Sequence, residues 1–297
     1  KVDSYHVGFV LGPRLNACGR MGHAKEAVKL LTDAKGEDAR QIALMLNREN
    51  ESRRATEKQM LQQARRMVAD GGYDQPESPV IVLGHEDWHP GVVGIVCSRL
   101  VDIYHRPVVL LNTANGVATG SARSIPGFNI CQAFAACADH LETFGGHAMA
   151  GGLKLKRENL DAFRDALADC ARAELSEDDL TPGLDLDAEV TLDHVSQSVG
   201  ETLERLAPFG CGNPTPTLLV RGVTLDREPE TVGREGAHLV VLLKQGERMI
   251  RCIAWRQGEL AEQLSPGQSL DIACQIKLNR WKDRVRVEAV IEDMRLG

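Results

Sequence analysis

With 297 residues, 43% hydrophobic and 26% charged, the chain has the composition of a folded globular protein and room for two domains of ordinary size. A formal net charge of -7 excludes a globally basic nucleic-acid binder, so an anionic partner would be held by a local patch. No apolar run approaches the ~20 residues that cross a bilayer, and the eight scattered cysteines form no C-x-x-C pair. Those features point to a reducing, cytoplasmic setting with no membrane, disulfide framework or zinc site. The sequence opens on Lys1 and not on methionine, which suggests a piece of a longer protein.

Residues 8–31 read as loop, turn and then a short amphipathic helix from His23 to Leu31. The loop holds Arg14, Asn16 and Arg20 among glycines and a proline; the two arginines could grip a phosphate or anchor the loop to carboxylates. From Lys35 to Asp70 the spacing predicts one long helix whose middle, Asn47 to Lys58, is almost wholly polar. Such a helix bridges two bodies, and Gly71-Gly72 ends it.

Strands and helices then alternate, which predicts an α/β layer structure. The expected strands are 79–84, 107–111, 116–123 and 152–155; the expected helices are 91–104, 130–140 and 159–173. His85, Glu86, Asp87 and His89 fall within five residues but match no zinc spacing, so a structural or substrate-positioning role is expected of them. Gly120-Ser121-Ala122-Arg123-Ser124 ends a strand with two hydroxyls and a guanidinium, the makings of an anion pocket. Phe144-Gly145-Gly146-His147-Ala148-Met149-Ala150-Gly151-Gly152 reads as a glycine loop. It either lets backbone N–H groups and His147 reach a phosphate or forms a tight turn between packed elements.

An acidic, turn-rich stretch from Glu177 to Gly183 marks a boundary. A helix at 196–206 and the rigid turn Ala207–Pro216 precede five strands (217–224, 238–244, 249–255, 269–278, 284–293), with an amphipathic helix at 257–264. That pattern predicts a small closed barrel of the OB type. Its last hairpin is basic: Lys277, Arg280, Lys282, Arg284 and Arg286 surround Trp281, with only Asp283 opposing. Cations that track a backbone beside a ring that stacks a base suit single-stranded nucleic acid, although a solvated hairpin would look the same.

Taken together, Leu11–Arg20, Trp88–Ile95, Gly120–Ser124, Phe144–Gly152 and Pro208–Pro214 resemble the RecJ family of single-strand-specific exonucleases, in the DHH phosphoesterase superfamily. The resemblance implies four parts: the end of a DHH domain (1–34), a connecting helix (35–72), a DHH-associated α/β domain (73–176) and an OB-fold (183–297). It implies a 5′-to-3′ exonuclease of DNA repair and recombination that uses Mn²⁺ or Mg²⁺. The family binds those metals through an Asp-His-His domain, and no Asp-His-His occurs in this chain. The chain would therefore supply substrate binding without metal ligands and be inactive alone.

By the same resemblance, His147 with Gly145, Gly146 and Gly151 would hold the phosphate beside the scissile bond. Arg14, Asn16, Arg20, His89, Ser121, Arg123 and Ser124 would contact phosphates near the 5′ end. Lys277, Arg280, Trp281, Lys282 and Arg284 would hold the strand, and replication or repair proteins would be further partners. The alternatives are a phosphoesterase of oligonucleotides or cyclic dinucleotides and a non-catalytic single-stranded-DNA-binding scaffold.

Overall fold

The computed structural model describes every residue except Lys1, Asp3, Gly22, His23, Lys282 and Asp283, and describes Trp281 by its backbone alone. Two compact units are formed, Lys1–Pro182 and Gly183–Gly297.

In the first unit a π-helical stretch, His6–Leu11, runs into α1 (Gly12–Met21), followed by α2 (Ala24–Thr32) and α3 (Gly36–Asp70). The loop expected at 8–22 is therefore helical over its described residues. Pro13 lies inside this continuous helical run, at the junction of its π and α parts, where its missing N–H leaves out one rung of the ladder. Cys18 of α1 packs with Ile42 and Leu46 of α3, and this burial overrides the glycine content. The other end of α3 packs Met60, Ala64 and Val68 into a separate cluster, so the polar middle does join two cores. Its one buried polar residue, Asn50, accepts from Arg53 Nη2 at 3.0 Å.

Next come β1 (Ile81–His85), α4 (Pro90–Tyr104), β2 (Val108–Asn112), β3 (Val117–Arg123), α5 (Ile130–Ala136), β4 (Thr143–His147), β5 (Ala150–Lys156) and α6 (Leu160–Glu174). The sheet order is β1-β2-β3-β5-β4, parallel between β1 and β2 and antiparallel elsewhere. Apolar runs bury both faces of β1 and β2. Ile81, Leu83, Val108 and Leu110 face α3 and α4, while Val82, Val109 and Leu111 join the core under α5 and α6. The helix expected to reach His140 stops at Ala136, because Cys137 leaves helical geometry (φ -96, ψ 14) and is buried in the core under α6. The glycine loop is corrected too. It is a β-hairpin, β4 and β5, and β4 is an exposed sheet edge.

The second unit holds β6 (Ala188–Val190), α7 (Gln197–Glu204), β7 (Leu218–Leu225), β8 (Glu230–Val232), β9 (His238–Gln245), β10 (Arg248–Ala254), β11 (Ser269–Trp281) and β12 (Arg284–Leu296). Strand order is β6-β7-β11-β12-β10-β9-β8, and β7 meets β9 again through Thr224↔Lys244 and Leu225↔Leu243. The expected closed barrel is thus an OB-like barrel whose seam is joined over two residue pairs only. The helix expected at 257–264 is a 3-10 stretch, Gly258–Gln263, wedged where Gly258 lies against the Gly236 carbonyl and a side chain could not fit. Among the described residues no helix is long and apolar enough to cross a membrane.

Candidate nucleic-acid interface

The strand registers bring the two small-residue motifs of the first unit side by side. Ser121 of β3 lies opposite Gly152 of β5, which lies opposite Gly145 of β4. One step along, Ala122, Gly151 and Gly146 form the next row; one further, Arg123, Ala150 and His147 form a third. Directly opposed residues share a sheet face about 5 Å apart. The first and third rows share one face, where Ser121, Arg123 and His147 stand beside glycine and alanine, while the second row faces the other way, with Gly151 against the Phe134 ring. Ser121 and Arg123 are half-buried, and Arg123 Nη1 donates to the Ala122 carbonyl at 2.7 Å. Gly145, Gly146 and His147 are exposed, and no hydrogen bond ties down the His147 ring among the described residues.

The first turn of α4 lies against this surface. Pro90 occupies a position where no N–H is needed, and His89 caps the helix by accepting the Gly91 N–H at Nδ1, 3.1 Å away. In the neutral ring that bond places the remaining proton on Nε2, which makes it a donor. A methyl on Gly94 would come within 3.3 Å of Arg123 Nη2 and 3.5 Å of Ser121 Oγ, so α4 and β3 meet at these two side chains. Arg20 Nη1 donates to the Gly91 carbonyl at 3.0 Å, bringing the end of α1 to the same turn. Gly91 and Gly94 were not singled out from the sequence, although small residues in the first turn of that helix were the available signal. Behind β3, the buried Cys97 donates to the Ser121 carbonyl at 3.1 Å; burial pushes its thiol up to about 12, so it is a structural group and not a nucleophile.

Other candidates are tied elsewhere. Arg14 donates from Nε to Asn47 Oδ1 and from Nη1 to the Val10 carbonyl, both at 2.6 Å, so it braces α1 on α3 and forms no pair with Arg20. Asn16 is exposed on α1. Ser124 is buried, and its hydroxyl donates to the Phe128 carbonyl at 2.7 Å. In the second unit Arg280 makes a two-pronged bond to Glu204 of α7, 2.7 Å on each prong, which holds that carboxyl below its ordinary range. Lys277, Arg284 and Arg286 are exposed and have no ion pair among the described residues. Lys282 and the Trp281 ring lie outside the described residues.

The residues present do not fit a metal centre. Among the described residues no three His, Cys, Asp or Glu side chains converge. In the one sequence cluster, His85 accepts the Asp87 N–H at 3.1 Å and His89 caps α4, while Trp88 is buried with its indole N–H on Gln63 Oε1. That loop is held for structure.

Comparison with known proteins finds one domain match within each compact unit. Residues 77–173 match the DHHA1 domain and 186–293 match the RecJ OB domain. The single-stranded-DNA-specific exonuclease RecJ of Bacillus subtilis is 36% identical over 97% of this chain and 36% of its own length. The crystal structure of Thermus thermophilus RecJ in complex with Mn²⁺ superposes with a TM-score of 0.82 at 31% identity, over 98% of this chain and 41% of that one. Its Mg²⁺ complex gives 0.81 at 30% identity, over 98% and 44%. The curated relatives are matched over between 36% and 52% of their lengths. The chain thus carries a DHHA1 domain and a RecJ OB domain, and spans a third to a half of the length of the curated relatives it matches.

Proposed function

We propose that this chain is the substrate-holding part of a cytoplasmic 5′-to-3′ single-stranded-DNA exonuclease of DNA repair and recombination, a hydrolase whose Mn²⁺ or Mg²⁺ ions are bound by residues outside it. One observation carries the reading: the register places Ser121 and Arg123 of β3 on the same sheet face as His147 of β4, across Gly152 and Gly145, with Gly94 of α4 against the two β3 side chains. A guanidinium, an exposed imidazole and the unpaired strand edge of β4 are the elements of a phosphate cradle, whereas the α4 N-terminus lends only its dipole, because His89 takes the Gly91, Val92 and Val93 N–H groups. Arg20 and His89 edge the same turn and complete the group of donors. The exposed β4 edge leaves that cradle open to the rest of a larger enzyme. In the second unit, the OB-like barrel with its cations holds the strand. Replication or repair proteins are the partners this role would bring.

The test is binding of a 5′-phosphorylated and a 5′-hydroxyl single-stranded oligonucleotide to the chain. The phosphorylated strand binds more tightly, and Arg123→Ala and His147→Ala each abolish that preference while the hydroxyl strand binds as before. Mn²⁺ added to the chain gives no hydrolysis, since no ligand set is present among the described residues. Equal binding of the two strands, or efficient cleavage by the chain itself, would sink the proposal.

A further inference from the structure

Alternation along the strands of the second unit sorts its side chains into two faces. Leu239, Val241 and Leu243 of β9, Ile250, Cys252 and Ala254 of β10, and Ala289 and Ile291 of β12 point into the core. The alternate residues therefore share the outer face. From β9 these are His238, Val240, Leu242 and Lys244; from β10, Met249, Arg251 and Ile253, with Trp255 just beyond. Arg284, Arg286, Glu288 and Val290 of β12 join them, and the register adds Lys277 and Asn279 of β11. Two contacts confirm the shared face: Arg251 Nη1 donates to Glu288 Oε1 at 2.9 Å, and Val240, Ile253 and Val290 form one apolar cluster.

This face has a direction. At the hairpin end Lys244, Lys277, Arg284 and Arg286 are exposed cations without ion pairs among the described residues, and Asn279, Arg284, Arg286 and Glu288 line a cleft of about 290 Å³. Beyond it lie Val240, Ile253 and Val290, buried with Val232 packed against them, so the open groups of this face stand at its two ends. At the far end stands Trp255, 51% exposed, with the His238 ring edge-on at 4.8 Å and 74°. Extending the β10–β12 register puts Arg284 level with Glu247, so Trp255 lies about 25 Å further along, at ~3.3 Å per residue.

The Trp255 end is rigidly built. His238 Nδ1 accepts the Arg256 N–H at 3.0 Å, and Arg256 is held at φ +64, where a non-glycine residue is uncommon. Gly233, at φ +86, leaves room for the His238 ring, which a methyl there would meet at 2.8 Å. An indole fixed from one side and half open to solvent loses little freedom when a flat ring stacks on it.

We propose that a single strand of DNA runs along this outer face, with Lys277, Arg284 and Arg286 on its phosphates and Trp255, backed by His238, stacking one base. The proposal rests on the single-strand reading above and names the track and the stacking residue. It adds an aromatic contact at the opposite end of the sheet from the hairpin.

The probe is a fluorescein-labelled oligo(dT) of about 15 nucleotides, within the span one OB fold occupies. A matching oligonucleotide without bases serves as the control, and anisotropy is measured with the full chain. Trp255→Ala weakens oligo(dT) binding about tenfold, as loss of one stacked base should. Trp255→Phe, which keeps a stacking ring and guards against a folding defect, retains most of the affinity. Neither variant changes binding to the abasic strand, whereas Arg284→Ala with Arg286→Ala weakens both probes alike. Unchanged oligo(dT) affinity in Trp255→Ala overturns the stacking site and leaves the single-strand reading standing; so does an equal loss on both probes. If the unaltered chain binds neither probe, the single-strand reading itself fails and takes this proposal with it.

Discussion

Gly145 and Gly146 are neighbours on β4 whose side-chain vacancies serve different ends. Gly146 has φ +146 and lies against the Ala150 carbonyl, with the Gly151 Cα 2.6 Å from where a methyl would stand. A methyl at Gly145 would meet nothing within 4 Å, and its backbone is unstrained. Gly146→Ala should therefore destabilise the first unit by about 1–3 kcal/mol, a melting shift of several degrees. Gly145→Ala should leave melting unchanged and weaken single-strand binding, because its methyl enters the open row between His147 and Ser121. Thermal melts paired with oligonucleotide binding separate the two, and a binding defect in neither variant would count against the cradle. Residue chemistry at these motifs was legible in the sequence because glycine, serine and arginine announce it locally. Whether a given arginine is free was not. Arg14 finds Asn47 and Arg280 finds Glu204, partners 33 and 76 positions away that only the tertiary fold brings near.

Elements were legible where apolar residues ran unbroken, as in β1 and β2, or alternated, as in the longest strands of the barrel. The misreadings fell where packing overrides pattern: α1, made helical by its seat on α3, and β4, a strand of mostly small residues that pairing with β5 alone defines. Bulges are a further case. The β7–β11 register shifts between Leu270 and Ile272, and the residue passed over is Asp271. Its carboxylate accepts the Gly222 N–H at 2.9 Å and meets Arg221 and Arg295, each at 3.1 Å. The Gly222 N–H, with help from the Arg295 guanidinium, holds the Asp271 carboxyl below its ordinary value of 3.8. A depressed carboxyl favours the folded state above the ordinary value, and that contribution is lost as pH falls through the lowered one. Asp271→Asn should thus lower the melting temperature of the second unit at pH 7 and shrink its gap from the parent as pH drops below about 4. Melts across that range check the sign, and a gap that widens on acidification would show that the bulge is not held by charge.

At the scale of the whole molecule, charge distribution matters more than its sum. The chain carries a net charge of -7, which repels a polyanion at long range. Any single strand it binds is therefore held by a few local cations and not by a diffuse field. The outer face of the barrel offers about four: Lys244, Lys277, Arg284 and Arg286. Each phosphate contact on single-stranded DNA contributes about -0.7 to the slope of log affinity against log salt. Four contacts give a slope of about -3, shallower than that of a basic groove. The Arg284→Ala, Arg286→Ala double variant should flatten the slope by about 1.4, while Trp255→Ala lowers affinity at every salt concentration and leaves the slope alone. Binding isotherms between 50 and 200 mM salt, the range over which such contacts are commonly compared, resolve a change of that size. A slope that the arginine variant leaves untouched would remove the barrel face from the electrostatic account. A slope steeper than about -6 would mean that cations beyond these four carry the strand.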